Sequence, residues 1–206
     1  MYTKMDTKKD TKKDKTGIKI GMWLFLYSEI ILFGGLFVLY AVYFSRYTSE
    51  FIEGGRALDR MIGTINTVIL LASSFTVAAS ITAVRRKNIK AASGFLIFSI
   101  FCGVVFLVNK YFEWGHKFHE NIYPNSDKLV DGPPGINIFF GMYYIITGLH
   151  GLHIIAGTVL LSISTYMVVK RKINEDSYAM LDNSALYWHL VDLIWIFVFP
   201  LFYLVL

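Results

Sequence analysis

Five runs of apolar residues, at about 18–44, 61–84, 91–114, 136–169 and 184–206, constrain this chain more than anything else in it. Each reaches the ~20 residues that a helix needs to cross the hydrocarbon core of a bilayer. Lipid offers the backbone no hydrogen bonds, so a spanning segment must satisfy its own amides as a helix or close into a barrel. Barrel strands alternate lipid-facing and lumen-facing residues, whereas these runs are continuously apolar. The expected fold is therefore all-α, a polytopic bundle of five transmembrane helices. The fourth run is longer than a straight crossing requires and is expected to tilt or project. Composition agrees. Hydrophobic residues make up 55% of the chain, and the aromatic share of 17% equals the charged share, a balance unlike that of a water-facing surface.

The basic residues set the expected orientation. Seven lysines lie in the N-terminal segment up to Ile20, four basic residues in "RRKNIK" (85–90) and three in "KRK" (170–172). Those fourteen fall on one side of the membrane, and only six, in 45–60 and 110–135, fall on the other. The positive-inside rule then places the N-terminus in the cytoplasm and the C-terminus outside. Residues 1–17 read as a solvated, irregular lysine-rich tail suited to an anionic inner leaflet, and 18–206 as the membrane domain. The apolar run behind the tail is too long for a signal peptide, and no small-residue cleavage site follows it. The net charge of +5 resides in these flanks and does not indicate nucleic acid. An odd number of spans does not divide into inverted halves, which weighs against a secondary transporter.

Inside the first run, "GMWLFLYSEIILFGGLFVLYAVYF" (21–44), stands Glu29, about ten residues or roughly 15 Å deep at the helical rise. An acid there costs at least ~2.5 kcal/mol on insertion scales, so it is either a neutral packing group or the reason for that helix. Asp192 lies at comparable depth in the fifth run, so the two acids are candidates for one polar spot. In "YWHLVDLIWIF", His189 and Asp192 are three apart and share a helix face. In "GLHGLHIIAG", His150 and His153 share another, where Gly148, Gly151 and Gly157 are expected to let a neighbouring backbone approach. Two histidines at this spacing can share a metal, but no further ligand is evident nearby, so interhelical hydrogen bonding is the favoured reading. Glu113 stands near the outer end of the third span, where an interfacial and a paired role compete evenly. His116 and His119 are read as part of a solvated outer loop. The single cysteine, Cys102, excludes an internal disulfide and is read as a small packing residue.

Four motifs, "WLFLYSE", "INTVILLASS", "GLHGLHIIAG" and "YWHLVDLIWIF", resemble in order and spacing those of subunit III of the haem-copper terminal oxidases. The resemblance runs from about Gly21 onward. By it, Glu29 matches the buried glutamate of the family's "SE" motif, and Asn66 the asparagine of the next span. Glu113 matches the acid closing the span after that. His150, Gly151 and His153 match "HGLH", while Trp188, His189 and Asp192 match "YWHxVD". The family's long form has seven helices. This chain begins where the third would be, so it resembles the shorter five-helix bacterial form, without the two helices that wall a lipid-filled cleft.

The resemblance implies a non-catalytic, multi-pass subunit of the bacterial inner membrane with no haem, copper or other metal ligand of its own. Its expected partners are subunit I, carrying the haems and copper B, and subunit II, carrying the donor-side copper or its quinol-oxidase equivalent. Small subunits, other respiratory complexes and bound phospholipid are further neighbours it allows. The implied roles are bracing the core of a proton-pumping oxidase that reduces oxygen to water, and supporting sustained proton delivery. The implied complex is of the cytochrome c oxidase type. A quinol oxidase and a nitric oxide reductase share the same motifs. A stand-alone proton-coupled carrier built around Glu29 and Asp192 is the reading from a different class. The charge asymmetry makes one direct prediction: a reporter fused after Leu206 will face the exterior, and one inserted near Arg86 the cytoplasm. The reverse at both positions would overturn the orientation.

Overall fold

The structure, a computed structural model, describes residues 4–173 and 178–205; the first three residues of the tail and Leu206 lie outside the described residues. Seven helices follow in order: α1 Lys4–Arg46, α2 Thr48–Arg56, α3 Arg60–Arg85, α4 Ile89–His119, α5 Asp127–Val130, α6 Pro134–Val169 and α7 Ala179–Tyr203. Five are long and apolar enough to cross a membrane: α1 from Gly17, α3, α4, α6 and α7. The all-α architecture is the one the apolar runs dictate. The lysine-rich segment differs from expectation. Its backbone continues the first span as helix from Lys4 rather than forming an irregular tail.

The helix ends have local causes. Asp59 caps α3 by accepting from the amides of Met61 (2.8 Å) and Ile62 (3.2 Å), and Asn88 caps α4 through the amide of Ala91 at 3.1 Å. Pro134 occupies the first turn of α6, where its missing N–H costs nothing. At the other ends, Lys87, Asn121 and Arg171 have φ of 61°, 55° and 55°. Each reverses the chain so that orphan carbonyls are met, as when the Asn88 amide reaches the Ala83 oxygen at 2.9 Å. Two span limits read from hydropathy therefore move. The helix α4 runs past Trp114 to His119, and α7 starts at Ala179 because its polar first turns, with Asp182 and Asn183, remain helical.

Helices α3, α4, α6 and α7 pack in a closed ring, each against two neighbours, and α1 leans on α6 and α7 from outside. Only 11% of the apolar window of α1 is buried, against 56% for α7. The contact of α1 is a narrow seam of Leu26, Phe33 and Tyr40, seven residues apart, with Phe37 and Phe44 beside it. The Tyr40 hydroxyl donates to the Leu201 carbonyl and ties the far end of α1 to α7. Residues 48–56, which look like loop by composition, form a helix because Phe51, Gly54 and Gly55 present one buried face to α6 and α7.

Trp188, fully buried on α7, centres the ring of four. A β-carbon at Gly157 of α6 would lie 2.8 Å from its indole, and one at Gly103 of α4 would lie 2.8 Å from the opposite edge. These glycines make room for an aromatic ring, so the expected close backbone approach at Gly157 is replaced by a side-chain contact. Gly151 faces open space, with Leu107 the nearest group at 4.0 Å, and Gly148 meets only the edge of Trp114 at 3.2 Å. Gly157→Ala is thus predicted to destabilise the chain by about 1–3 kcal/mol through overpacking. Gly141→Ala on the same helix, with nothing within 4 Å, should be silent. Thermal unfolding in detergent of both variants checks the contrast.

Candidate functional site

Glu29 lies in the α1 seam between Leu26 and Phe33, and its Oε2 is 2.8 Å from Nε2 of His153 on α6. The two side chains are 13% and 14% exposed. The Nδ1 of His153 is 2.7 Å from the carbonyl oxygen of Leu149, a group that only accepts, so Nδ1 carries a hydrogen. Nε2 then either donates a second hydrogen to a Glu29 carboxylate or accepts the proton of a neutral Glu29. Both arrangements hold one proton between the two groups and carry no net charge. Phe33 meets the imidazole edge-on at 5.3 Å, Tyr187 lies nearly parallel at 6.4 Å, and the Tyr187 hydroxyl donates to the His153 carbonyl at 3.3 Å. The acid therefore pairs across the α1–α6 contact and not with Asp192.

A second cluster joins α4, α6 and α7. Lys110 of α4 donates to Glu113 Oε2 at 3.1 Å, to the Tyr143 hydroxyl of α6 at 2.9 Å and to the Tyr203 hydroxyl of α7 at 2.8 Å. Both tyrosines donate in turn to Glu113 Oε1, at 2.8 and 2.6 Å. The ammonium thus uses all three of its donors and both carboxylate oxygens accept, which closes the network. The rings of Tyr143, Tyr203 and Trp195 lie within 4.8–5.6 Å of the ammonium. Lys110 is 6% and Glu113 4% exposed, so Glu113 is a paired interior group rather than an interfacial one. Sequence reasoning placed Lys110 among the outer basic residues. The signal that could have moved it inward was "NKYFE", a lysine and glutamate three apart in an apolar run.

The remaining polar positions link α3 to its neighbours. Asn109 donates to the Asn66 side-chain oxygen at 2.8 Å, Trp188 Nε1 to Ser73 at 2.7 Å, and Trp195 Nε1 to Thr67 at 3.0 Å. His189 Nδ1 and the Ser74 hydroxyl are 2.7 Å apart, so His189 pairs with a hydroxyl of α3 and not with a carboxylate. His150 differs from His153. It is fully buried between Phe106 and Trp195, and neither ring nitrogen has a hydrogen-bond partner among the described residues. Asp192 is 3% exposed and both its oxygens are likewise unpartnered. Cys102 is a free, buried thiol.

His116 and His119, expected in a loop, occupy the last turn of α4 because the helix continues to its αL cap at Asn121. The exposed His116 ring lies 3.3 Å from Glu120, and Lys117 donates to the same carboxyl at 2.8 Å, which holds it below the usual range. Among the described residues no three His, Cys, Asp or Glu side chains gather as a metal-binding group. Gly151 opens onto a shallow groove of about 260 Å³ between α4 and α6, lined by Leu107, Tyr111, Trp114 and Leu152 with Lys110 at its floor.

Five spans knotted by buried acid–base and hydrogen-bonded pairs define a polytopic helical membrane protein. The chain belongs to the cytochrome c oxidase subunit III family, whose sequence profile matches residues 4–205. It is 31% identical to a cytochrome c oxidase subunit 3 of Rhipicephalus sanguineus over 91% of this chain and 70% of that protein. It is 30% identical to a probable quinol oxidase subunit 3 of Staphylococcus saprophyticus, over 91% and 88%. A heme-copper oxidase subunit I+III of Aeropyrum pernix is 31% identical over 91% of this chain and 23% of its own length.

The closed Lys110 network makes a stability prediction. Lys110→Met should cost about 3 kcal/mol or more, because it leaves Glu113 buried without its counter-ion. The pair Lys110→Met with Glu113→Gln should cost clearly less than the sum of the single changes. Unfolding of the four proteins in one detergent measures the coupling, and additive losses would show that the pair is not coupled.

Proposed function

We propose that this chain is a non-catalytic subunit III of a bacterial haem-copper terminal oxidase that reduces oxygen to water, resident in the inner membrane with its N-terminus cytoplasmic. The observation that carries it is the family match across residues 4–205. The Aeropyrum relative, named as subunit I and III together, supports subunit I as the direct partner, with subunit II beyond. The exposed apolar face of α1, with Trp23, Leu24, Tyr27, Ile31 and Val38, is free to meet lipid or a partner span. The groove beside Gly151 suits an acyl chain of bound phospholipid. Haems and copper belong to the partners in this reading.

Cytochrome c is the proposed electron donor. A quinol oxidase is the second reading, favoured by the Staphylococcus relative, which this chain covers over 88% of its length. A copper signature in the co-purified subunit II would decide for cytochrome c, and its absence for quinol. Within the complex the structure supports two kinds of role. The Lys110–Glu113 network, Asn66, Trp188 and the serines of α3 brace the bundle. Glu29 with His153, and Asp192 and His189 each by itself, are the groups suited to hold protons where proton delivery needs buffering.

Purification through this chain is expected to bring down subunit I with its haems. Isolation of the chain as a lone homo-oligomer from native membranes would overturn the oxidase assignment. Within that complex, Glu29→Ala is predicted to leave haem spectra and composition intact but to shorten the number of turnovers before inactivation, since it orphans His153 Nε2. Glu29→Gln, which keeps a polar partner for His153 but no transferable proton, separates packing from proton holding. A Gln variant as durable as wild type assigns Glu29 to packing, and one as short-lived as Ala assigns it to proton supply. Oxygen consumption followed to inactivation reads the difference, and identical traces from all three proteins would remove Glu29 from the mechanism.

A further inference from the structure

Where α3 turns into α4, on the lysine-rich side of the bundle, the two helices leave an open groove of about 600 Å³ between them. Its walls are small, Ala78, Ala79 and Ala83 from α3 and Ala91 from α4, so the trench exists where larger side chains would have filled it. The deepest groups lining it are Phe75 and Phe95. Phe75 stands three turns from Arg86, about 16 Å at the helical rise, so the trench reaches roughly half the depth of the ~30 Å hydrocarbon core. Helix α1 packs on α6 and α7, away from this face. The mouth is polar and holds no acid: Thr82, Arg86 and Asn88 line it. Arg86 is exposed, and among the described residues its guanidinium has no partner. The adjacent Arg85 is turned elsewhere, over the ring of Tyr178 at 5.0 Å. Asn88 accepts from the Ala91 amide at 3.1 Å, which leaves its side-chain NH₂ as a donor. The first turn of α4, positive by its dipole, begins at the same place.

We propose that this groove holds one anionic phospholipid, with an acyl chain along the alanines and the phosphate at Arg86. Depth decides between a lipid and a partner helix. Small residues also admit a neighbouring helix, but a spanning helix needs a surface as long as the whole core, and the lining of this trench ends at Phe75 and Phe95, one leaflet down. Charge decides the class of lipid. The guanidinium fork can meet two phosphate oxygens at once, and the Asn88 amide and the α4 dipole add to the attraction. No carboxylate lines the mouth to receive the ammonium of a zwitterionic headgroup, so a net negative lipid such as phosphatidylglycerol is favoured over phosphatidylcholine. The groove beside Gly151 lacks this selectivity, because Lys110 at its floor spends all three donors inside the protein. The site is a property of this chain alone and does not depend on the oxidase reading.

Native mass spectrometry of the full chain, released from nanodiscs of equal phosphatidylglycerol and phosphatidylcholine with identical acyl chains, tests the inference. Wild type should retain one phosphatidylglycerol in preference to phosphatidylcholine by roughly fivefold, the factor that one basic residue near a membrane surface contributes. Arg86→Gln should bring the ratio close to unity, and Arg86→Lys, which keeps the charge, should preserve a preference. Lys172→Gln, the same change of charge on the same side of the bundle, should leave the ratio as in wild type. Ala78→Phe, which fills the trench, should lower retention of both lipids. Arg86, Ala78 and Lys172 are all exposed, so none of these changes removes a side chain from the core. Excess inorganic phosphate should leave the lipid in place. The proposal is overturned if wild type shows no preference, if Arg86→Gln keeps it, or if Lys172→Gln loses it equally, which would make the effect one of overall charge. It is also overturned if Ala78→Phe retains lipid as wild type does, if phosphate displaces the lipid, or if a second copy of the chain replaces it.

Discussion

Hydrocarbon gives a buried polar group no partner, so the partners that other spans supply decide the packing of this bundle, and among the described residues His150 and Asp192 are side chains left without one. The Lys110 network is the fullest case. One ammonium and one carboxylate on α4 would be prohibitive alone in the membrane. Two tyrosines, from α6 and α7, complete every donor and acceptor, and three helices are thereby fixed in height and rotation. The same logic at lower charge sets α3 against α4 and α7 through Asn66, Ser73, Ser74 and Thr67. Removing lipid-facing side chains alters little of this, whereas orphaning one member of a network leaves a cost with nowhere to go.

The first span obeys the rule in a different way. It touches the bundle along one seam and leaves most of its surface apolar and exposed. Glu29 sits in that seam, and its bond to His153 is the ion-pair-type contact that α1 makes with α6. The acid therefore gives a loosely held helix a specific rotation and height. It also brings two groups that can share one proton to hydrogen-bond distance.

Parts of the site were legible in the residues. The spacing of His189 and Asp192, and of His150 and His153, puts each pair within one turn of a single helix. It did not reveal their partners, because helical periodicity says which residues of one helix are neighbours and nothing about which neighbour helix they meet. His150 and His153, only one turn apart, consequently have opposite fates: one is closed between Phe106 and Trp195, the other bonded to Glu29. Glycine was the most misleading residue. The absence of a side chain in α6 is used by an indole at Gly157 and by an open groove at Gly151, and sequence carries no trace of which. Lys110 was misplaced for a related reason: charge near a span end usually marks an interface, and only its tyrosine partners, 33 and 93 residues away, bring it inside.

The sequence by itself determined the class of structure, five membrane helices, because hydrophobic length and the backbone's need for hydrogen bonds in lipid are local properties of each run. It determined several helix ends as well, since Asp59, Asn88 and Pro134 act on amides within their own turn. Tertiary structure decided how the helices are arranged, with α3, α4, α6 and α7 in a ring and α1 outside it. It also decided that Glu29 belongs to His153, that Tyr143 and Tyr203 enclose the Lys110–Glu113 pair, and that Asp192 has no hydrogen-bond partner among the described residues. Those outcomes are long-range choices among side chains of similar depth, made by the rotation each helix adopts when its bulky rings and polar groups are packed together.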